Sequence, residues 1–161
     1  MNRSQPHILI VEDDSDTAIL TAKKLNSAGY ETTIAASGEE GVEKFAANAP
    51  DLVLMDANLP GTNGYEATER ILALPQKRHV PVIMVTGMDS EDAVEQAFHS
   101  GAVEVILKPV NWAILTNRVA MTIKYYNLQR DLAFAHGELK RQMGEKEAEL
   151  VLANALLEEQ A

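Results

Sequence analysis

Three carboxylates in this sequence follow short apolar runs, at positions where a buried strand would end. Glu12 and Asp13 come directly after residues 8–11, and Asp56 comes directly after residues 52–55. Carboxylates that converge in one cleft repel one another strongly unless a cation neutralises them. Because magnesium is a hard cation that prefers oxygen ligands, these residue types indicate a bound magnesium ion.

A hydroxyl and an amine end two later apolar runs. Thr86 follows residues 80–85, and Lys108 follows residues 102–107. Taken singly, each is explained as an ordinary polar residue that opens a loop. Sites in parallel sheets form beyond the carboxyl ends of the strands, so runs that share one sheet would bring these side chains to one edge. The lysine would supply a second neutralising charge there.

The elements that must position these residues alternate along the chain. Short apolar runs and helix-period segments succeed each other five times before residue 111, which is typical of a parallel α/β sheet. The first run, residues 7–11, is continuous rather than alternating, as expected of a strand buried on both faces. The other strands are predicted at residues 30–35, 52–55, 80–85 and 102–107.

Helix signals fill the gaps between these strands. Ser37 and Glu40 form a capping-box pattern for the second helix, and residues 89–99 predict the fourth. Gly29 is a good stop for the first helix. The spacing of its side chains predicts an inward stripe of Ile19, Leu20, Lys23, Leu25 and Ala28.

From residue 111 onward the pattern is helical to the end of the chain, with Gly137 and Gly144 as weak points. Spacings of four and three residues predict an imperfect heptad seam. Its members are Leu132, His136, Leu139, Met143, Lys146, Leu150, Ala153 and Leu157. A single amphipathic helix that folds back on the domain is one interpretation. We favour a parallel coiled coil between two chains, because a tail this polar hides its apolar stripe only by pairing, and a helix over residues 112–160 would reach about 70 Å.

Four separated motifs together resemble the receiver domains of two-component response regulators. They are "IVEDD" with Glu12 and Asp13, "LVLMDANLPG" with Asp56, "VIMVTG" with Thr86, and "VILKPV" with Lys108. The match runs from about residue 7 to about residue 123. It implies a flavodoxin-like, doubly wound, five-stranded parallel sheet in the order 2-1-3-4-5 with five helices. We therefore expect a receiver domain at residues 1–123 and a helical extension, for dimerisation or as a linker, at residues 124–161.

The resemblance also implies a chemistry. A histidine kinase or a phosphotransfer protein would transfer a phosphoryl group to the carboxylate of Asp56. Magnesium would be held by Asp13, by Asp56, by the backbone carbonyl of Asn58 and, through water, by Glu12. In this interpretation the chain is a phosphoacceptor signalling domain and not an enzyme.

Lys108 and Thr86 complete the implied site. The amine would pair with one phosphoryl oxygen, and the hydroxyl would donate to another. Pro109 is often preceded by a cis peptide bond in this family. Many receivers carry an aromatic residue three places before the lysine, but this chain has Val105 there, which is too small and too stiff to act as a swinging ring. The signal is therefore expected to pass through Thr86, the following loop and the fourth helix.

Composition narrows the other possibilities. The 161 residues include 24 acidic and 14 basic ones, for a formal net charge of −10. An acidic surface repels the phosphate backbone, which disfavours direct contact with nucleic acid. The absence of cysteine excludes disulfides and thiolate metal sites and fits a reducing compartment. With neither a secretory signal nor a membrane span in the sequence, a cytoplasmic protein is expected.

Two other functions stay open. "KPVNWAILTNRV" followed by a long polar helix resembles receivers that precede diguanylate cyclase or cyclic-di-nucleotide phosphodiesterase domains, and the ending "LLEEQA" lacks a helix stop. The chain would then be the truncated N-terminal regulatory part of a signalling enzyme. A phosphorylation-independent interaction module is the third interpretation, and the complete set of pocket residues argues against it.

Overall fold

The computed structural model describes residues 4–160 and contains one parallel sheet flanked by helices. The strands are β1 His7–Val11, β2 Glu31–Ala35, β3 Leu52–Asp56, β4 Val82–Thr86 and β5 Glu104–Leu107. The helices are α1 Ser15–Ser27, α2 Gly38–Ala47, α3 Gly64–Ala73, α4 Glu91–His99 and α5 Trp112–Glu159. The strand order is β2-β1-β3-β4-β5, so the predicted fold class is confirmed.

The register of the strands brings the ends of β1, β3 and β4 to the same level. Val11 pairs with Met55, Asp56 pairs with Val85, and Thr86 pairs with Leu107. The polar residues at the ends of these strands therefore lie at nearly the same level of the sheet. Along the strand direction they differ by about one residue. Because β1 and β3 are buried along their whole length, their continuous apolar sequences fix this register from both faces.

Two apolar clusters, one on each face, hold the sheet. One cluster includes Phe45 of α2, Ile71 of α3 and Ala97 of α4. The other joins Leu25 of α1 to three buried residues on α5, which are Leu115, Val119 and Ile123. Trp112 is partly buried and packs against the second cluster.

The predicted inward face of α1 is wrong in most of its members. The buried residues of this helix are Ala18, Thr21, Ala22 and Leu25. By contrast, Ile19 and Leu20 are 52% and 44% exposed. Small side chains on the inner face let the helix lie close to the sheet, and the larger apolar residues are left outside.

Helix caps follow the sequence closely. The Asp14 carboxylate accepts a hydrogen bond from the Thr17 amide at 3.1 Å and caps α1. Ser37 Oγ accepts from the Glu40 amide at 3.1 Å, and Glu40 Oε2 accepts from the Ala36 amide at 2.9 Å. The capping box is therefore confirmed. Its second hydrogen bond differs from the usual pattern, because the Glu40 carboxylate accepts from the amide of Ala36 and not from that of Ser37.

Two strands begin two residues later than predicted, for identifiable reasons. Pro81 has no amide hydrogen to contribute to the sheet, so β4 begins at Val82. Ala102 donates its amide to Ala97 O at 3.2 Å, which closes α4 and delays β5 to Glu104.

The long helix α5 belongs to two units. The first compact unit extends to Tyr126, whose ring stacks on His79 with centroids 5.4 Å apart. In the second unit, from residue 127 to residue 160, all residues but Asn127 and Glu138 are exposed, including every member of the predicted seam. The predicted boundary after residue 123 stays a prediction. Within residues 4–160, no helix is long and apolar enough to cross a membrane.

Glycine-to-alanine changes in two helices should alter stability in opposite directions. A Cβ on Gly41, in buried α2, would lie 2.8 Å from Val11 Cγ2, so Gly41→Ala should lower the free energy of unfolding by about 1–3 kcal/mol. A Cβ on exposed Gly144 meets nothing within 4 Å, so Gly144→Ala should stabilise the helix by about 0.5–1 kcal/mol. Urea and thermal unfolding followed by circular dichroism measure both. Equal responses of the two variants would contradict this reading of the packing.

Candidate functional site

The three carboxylates predicted from the sequence meet at the end of the sheet. Glu12, Asp13 and Asp56 each place a carboxylate oxygen so that these atoms all lie within 4.8 Å of one another. Glu12 and Asp56 are buried, whereas Asp13 is exposed. The cluster is therefore walled by the protein on one side and open to solvent through Asp13.

Lys108 reaches the two buried carboxylates from the end of β5. Its Nζ lies 3.2 Å from Asp56 Oδ2 and 3.6 Å from Glu12 Oε2. The Lys108 amide donates to Thr86 O at 2.8 Å, and the Lys108–Pro109 peptide bond is cis, as predicted. One ammonium group thus bridges two carboxylates that come from different strands.

The loop after β3 folds back on Asp56. The Asn58 amide donates to Asp56 Oδ1 at 2.9 Å, and the Gly64 amide donates to Ala57 O at 3.0 Å. A Cβ on Gly64 would lie only 2.1 Å from the backbone oxygen of Asp56. Gly64 is therefore a positioning residue for Asp56. Gly64 was not among the predicted site residues.

Thr86 ends β4 beside β3 and is fully buried. Its Oγ1 accepts a hydrogen bond from the Met88 amide at 3.1 Å. The hydroxyl is thus joined to the loop between β4 and α4. The predicted site residues accordingly come from the ends of four neighbouring strands and from the loop after β3.

A family model for the response regulator receiver domain matches residues 8–120. That match covers more than half of the chain. The chain belongs to this family. As a receiver it is a signalling domain and not itself catalytic, and the partners that the family implies are histidine kinases or phosphotransfer proteins.

Individual relatives agree with the family match. Transcriptional regulatory protein AfsQ1 of Streptomyces coelicolor is 31% identical over 74% of this chain and 52% of its own length. A probable cyclic di-GMP phosphodiesterase of Vibrio cholerae is 36% identical over 72% of this chain and 26% of its own length. This chain thus spans about half of the length of AfsQ1 and about a quarter of the length of the Vibrio cholerae relative.

A solved structure confirms the fold. A CheY-like response regulator receiver domain protein from Methanospirillum hungatei superposes with a TM-score of 0.73 at 32% identity. The superposition covers 78% of this chain and 99% of the other chain.

Crowding of the carboxylates shapes the electrostatics of the receiver site. Burial, together with the adjacent Asp56 carboxylate, raises the pKa of Glu12 from 4.5 to about 7, against the opposing effects of Lys108 and the Asp14 amide. Burial alone would lower the pKa of Lys108, but the charges of Asp56 and Glu12 outweigh it, and the pKa is raised. Lys108 therefore stays protonated at neutral pH and Glu12 readily takes up a proton.

The donor set fits a divalent cation. Three carboxylates face a single ammonium group, so full ionisation leaves an excess of negative charge. The pKa of Glu12 is raised first by burial and then by the adjacent Asp56 carboxylate, which belongs to this excess. Oxygen ligands at this density match the preference of Mg²⁺, and receiver domains typically use Mg²⁺ at such an acidic pocket.

A small cavity lies against the same residues. It has a volume of about 30 Å³ and is lined by Glu12, Asp56, Lys108 and Thr21 together with apolar residues such as Leu115. Thr21 and Leu115 were not predicted as site residues, because neither residue directly follows a predicted strand. The cavity places the first turns of α5 next to the carboxylate cluster.

Metal-free protein should lose stability as the pH rises from about 5 to about 8. The folded state binds the Glu12 proton more tightly than the unfolded chain, whose ordinary pKa is 4.5. Raising the pH through this window therefore favours unfolding, by about 1–3 kcal/mol. Urea unfolding in the presence of EDTA measures the effect. Glu12→Gln should remove this part of the pH dependence and Glu147→Gln, in the exposed tail, should retain it; parallel pH profiles for wild type and Glu12→Gln would contradict the assignment.

Proposed function

We propose that this receiver accepts a phosphoryl group on Asp56 from a histidine kinase or phosphotransfer protein, in a magnesium-dependent reaction. The observation that carries the proposal is the meeting of three carboxylates within 4.8 Å, with the Lys108 amine 3.2 Å from Asp56. The family match gives this geometry its chemical context.

Asp56 is the nucleophile in the proposed reaction. One of its carboxylate oxygens forms a bond to the phosphorus of a phosphohistidine, the P–N bond breaks, and the electron pair stays on the imidazole nitrogen. The Asn58 amide and Lys108 each contact one oxygen of this carboxylate. These two contacts hold the carboxylate in one orientation, which lowers the entropic cost of reaching the transition state.

Asp13, Asp56 and the Asn58 carbonyl would hold Mg²⁺ directly, and Glu12 would hold it through water. The ion would neutralise charge on the transferring group. The buried Glu12 would then lose the proton that its raised pKa favours in the metal-free protein. A magnesium-binding site at these four residues is thus supported by the charge excess of the pocket.

Lys108 and Thr86 would bind the phosphoryl oxygens once they are on Asp56. The Lys108 amine already lies against the two buried carboxylates, so it needs only a small movement. A Thr86 hydroxyl that turns towards the phosphoryl group would change its bond to the Met88 amide. Because Val105 offers no ring to swing, we propose that the signal travels through this loop to α4, to the face formed by α4, β5 and α5, and to the C-terminal helix.

Phosphorylation should depend on Asp56 and on magnesium. Incubation with acetyl phosphate and Mg²⁺ should add one phosphoryl group to the native chain, detected by intact mass, and leave Asp56→Asn unmodified. Beryllofluoride with Mg²⁺ should likewise shift the amide NMR signals of the loop after Thr86 in the native protein alone. Asp51→Asn, which changes an acid at the opposite end of β3, is the matched control and should react like wild type. Equal modification of Asp56→Asn would overturn the assignment.

We further propose that the chain forms a homodimer through its last helix and C-terminal extension, as a parallel coiled coil. The support is the exposure of all eight residues of the heptad seam, because apolar side chains at heptad spacing are covered by a second helix.

Deletion of residues 129–161 should convert this dimer to a monomer. Light scattering at micromolar concentration measures the mass of the full chain and of the shortened chain. A full chain that is already monomeric, with and without phosphorylation, would contradict the pairing.

A second candidate function is supported by one comparison. The Vibrio cholerae relative is named as a probable cyclic di-GMP phosphodiesterase, and this chain aligns with 26% of its length. We propose as the alternative that the chain is the regulatory part of a signalling enzyme of that class or of the diguanylate cyclase class. The genomic reading frame beyond Ala161 tests this alternative: an enzymatic domain in frame supports it, and an immediate stop codon refutes it.

The remaining expectations follow from composition. We propose a cytoplasmic protein without direct contact with nucleic acid or membrane. The absence of cysteine and the net charge of −10 support this placement.

A further inference from the structure

The loop between β3 and α3, residues 57–63, carries the backbone carbonyl of Asn58, which is one of the proposed ligands of Mg²⁺. Ala57 O accepts a hydrogen bond from the Gly64 amide at 3.0 Å, which closes the loop at its two ends. Leu59 is buried in the core cluster that includes α2 and α3. Asn58 itself is exposed. The position of its carbonyl therefore depends on how the rest of the loop is held.

Glu39, on the first turn of α2, holds the far side of this loop. Its Oε1 accepts a hydrogen bond from the Thr62 amide at 3.1 Å, across 23 residues of sequence. Thr62 is buried, whereas Glu39 is exposed. Hydrogen bonds from the Thr62 side chain, from the Glu39 amide and from the Thr62 amide lower the pKa of Glu39. The carboxylate is therefore charged at neutral pH, and a charged acceptor makes the stronger kind of hydrogen bond.

Two glycines let α2 and the loop lie in direct contact. A Cβ on Gly38 would lie 2.6 Å from Thr62 O, so the helix start packs against the loop backbone itself. Gly61 has a φ of +72° and precedes the amide that Glu39 accepts from. Side chains other than glycine rarely adopt this left-handed conformation. The contact between Glu39 and Thr62 is thus built into the backbone on both sides.

Helix α2 does not depend on Glu39 for its cap. Ser37 Oγ accepts from the Glu40 amide, and the Glu40 carboxylate accepts from the Ala36 amide. Glu40 also forms an ion pair with Lys44. Glu39 instead directs its Oε1 to the loop after β3. Its contact with Thr62 therefore acts on the loop more than on the helix.

We infer that Glu39 is a positioning residue for the proposed magnesium site, because it holds the loop after β3 and thereby the Asn58 carbonyl. The inference rests on the proposed function and adds to it a residue from α2, a helix that supplies no ligand.

Loss of the Glu39 carboxylate would leave the buried Thr62 amide without its acceptor. A buried donor without a partner is costly, so the loop should move to bring this amide to water. Mg²⁺ demands near-ideal octahedral geometry, and a displaced Asn58 carbonyl would bind it less well. Since the Asn58 amide also donates to Asp56 Oδ1, the same movement would loosen the phosphoacceptor carboxylate.

Titration of the full chain with MgCl₂, followed by the amide NMR signals of residues 57–63, tests the inference. Groups that directly orient a metal ligand contribute about 10–100-fold to affinity, and Glu39 acts at a greater distance, so Glu39→Ala should weaken Mg²⁺ binding by about three- to tenfold. Glu43→Ala is the matched control, because it removes an exposed acid one turn further along α2. It should stay within about twofold of wild type.

A second variant and a second readout separate the hydrogen bond from the charge. Glu39→Gln keeps an acceptor oxygen without the charge and should bind Mg²⁺ more tightly than Glu39→Ala. In the metal-free protein, the Thr62 amide should exchange its hydrogen faster in Glu39→Ala than in wild type or in Glu43→Ala. Circular dichroism checks that all variants keep the helix content of wild type.

Each outcome decides a stated claim. Weaker binding in Glu39→Ala alone, with partial recovery in Glu39→Gln, supports the inference. Wild-type affinity in Glu39→Ala overturns the inference and leaves the proposed function intact. Equal losses in Glu39→Ala and Glu43→Ala, or in Glu39→Ala and Glu39→Gln, also overturn it, because charge alone would then explain the effect. A wild-type chain that does not bind Mg²⁺ overturns the magnesium dependence of the proposed function together with this inference.

Discussion

Mutual repulsion among Glu12, Asp13 and Asp56 is the constraint on which the rest of the structure depends. The continuous burial of β1 and β3 holds the carboxylates together, because neither strand can slip without moving its apolar residues out of the core. Lys108 offsets part of the repulsion from β5. What remains uncompensated is the basis of the proposed affinity for Mg²⁺, and it adds to the effect of burial, which is the larger cause of the raised pKa of Glu12.

The sequence predicted the strand ends better than the helix faces, for a physical reason. Glu12, Asp56, Thr86 and Lys108 could be placed together because each follows an apolar run of the sequence, and in the structure each lies at or just after the end of a strand. The inner face of α1 consists mostly of small residues such as Ala18, and Ile19 is exposed, against the usual assumption that larger side chains lie inside. Close approaches such as that of Gly64 to Asp56 depend on loop geometry, which spacing alone does not specify.

The two sides of α5 connect the site with the proposed partner. Leu115 lines the cavity beside Glu12 and Lys108, while Ile114, one residue earlier, points its apolar surface outward at 50% exposure. Neighbouring residues of one helical turn thus lie against the carboxylate cluster and on the exposed side of the helix. In the proposed relay, a rotation of this turn would change both surroundings and would need no aromatic side chain in place of Val105.

Asp14 links the pocket to the first helix in two ways. Its carboxylate caps α1, and its own amide donates to Glu12 Oε1 at 3.2 Å. The amino-terminal end of a helix carries about half a positive elementary charge from its aligned peptide dipoles. Helix α1 begins two residues after Asp13. Its partial positive charge therefore lies near the carboxylates, and it does not titrate because it belongs to the backbone. The helix end and Lys108 thus both supply positive charge near the acidic cluster. Substitution of a side chain can remove the charge of the lysine, whereas the helix dipole belongs to the backbone.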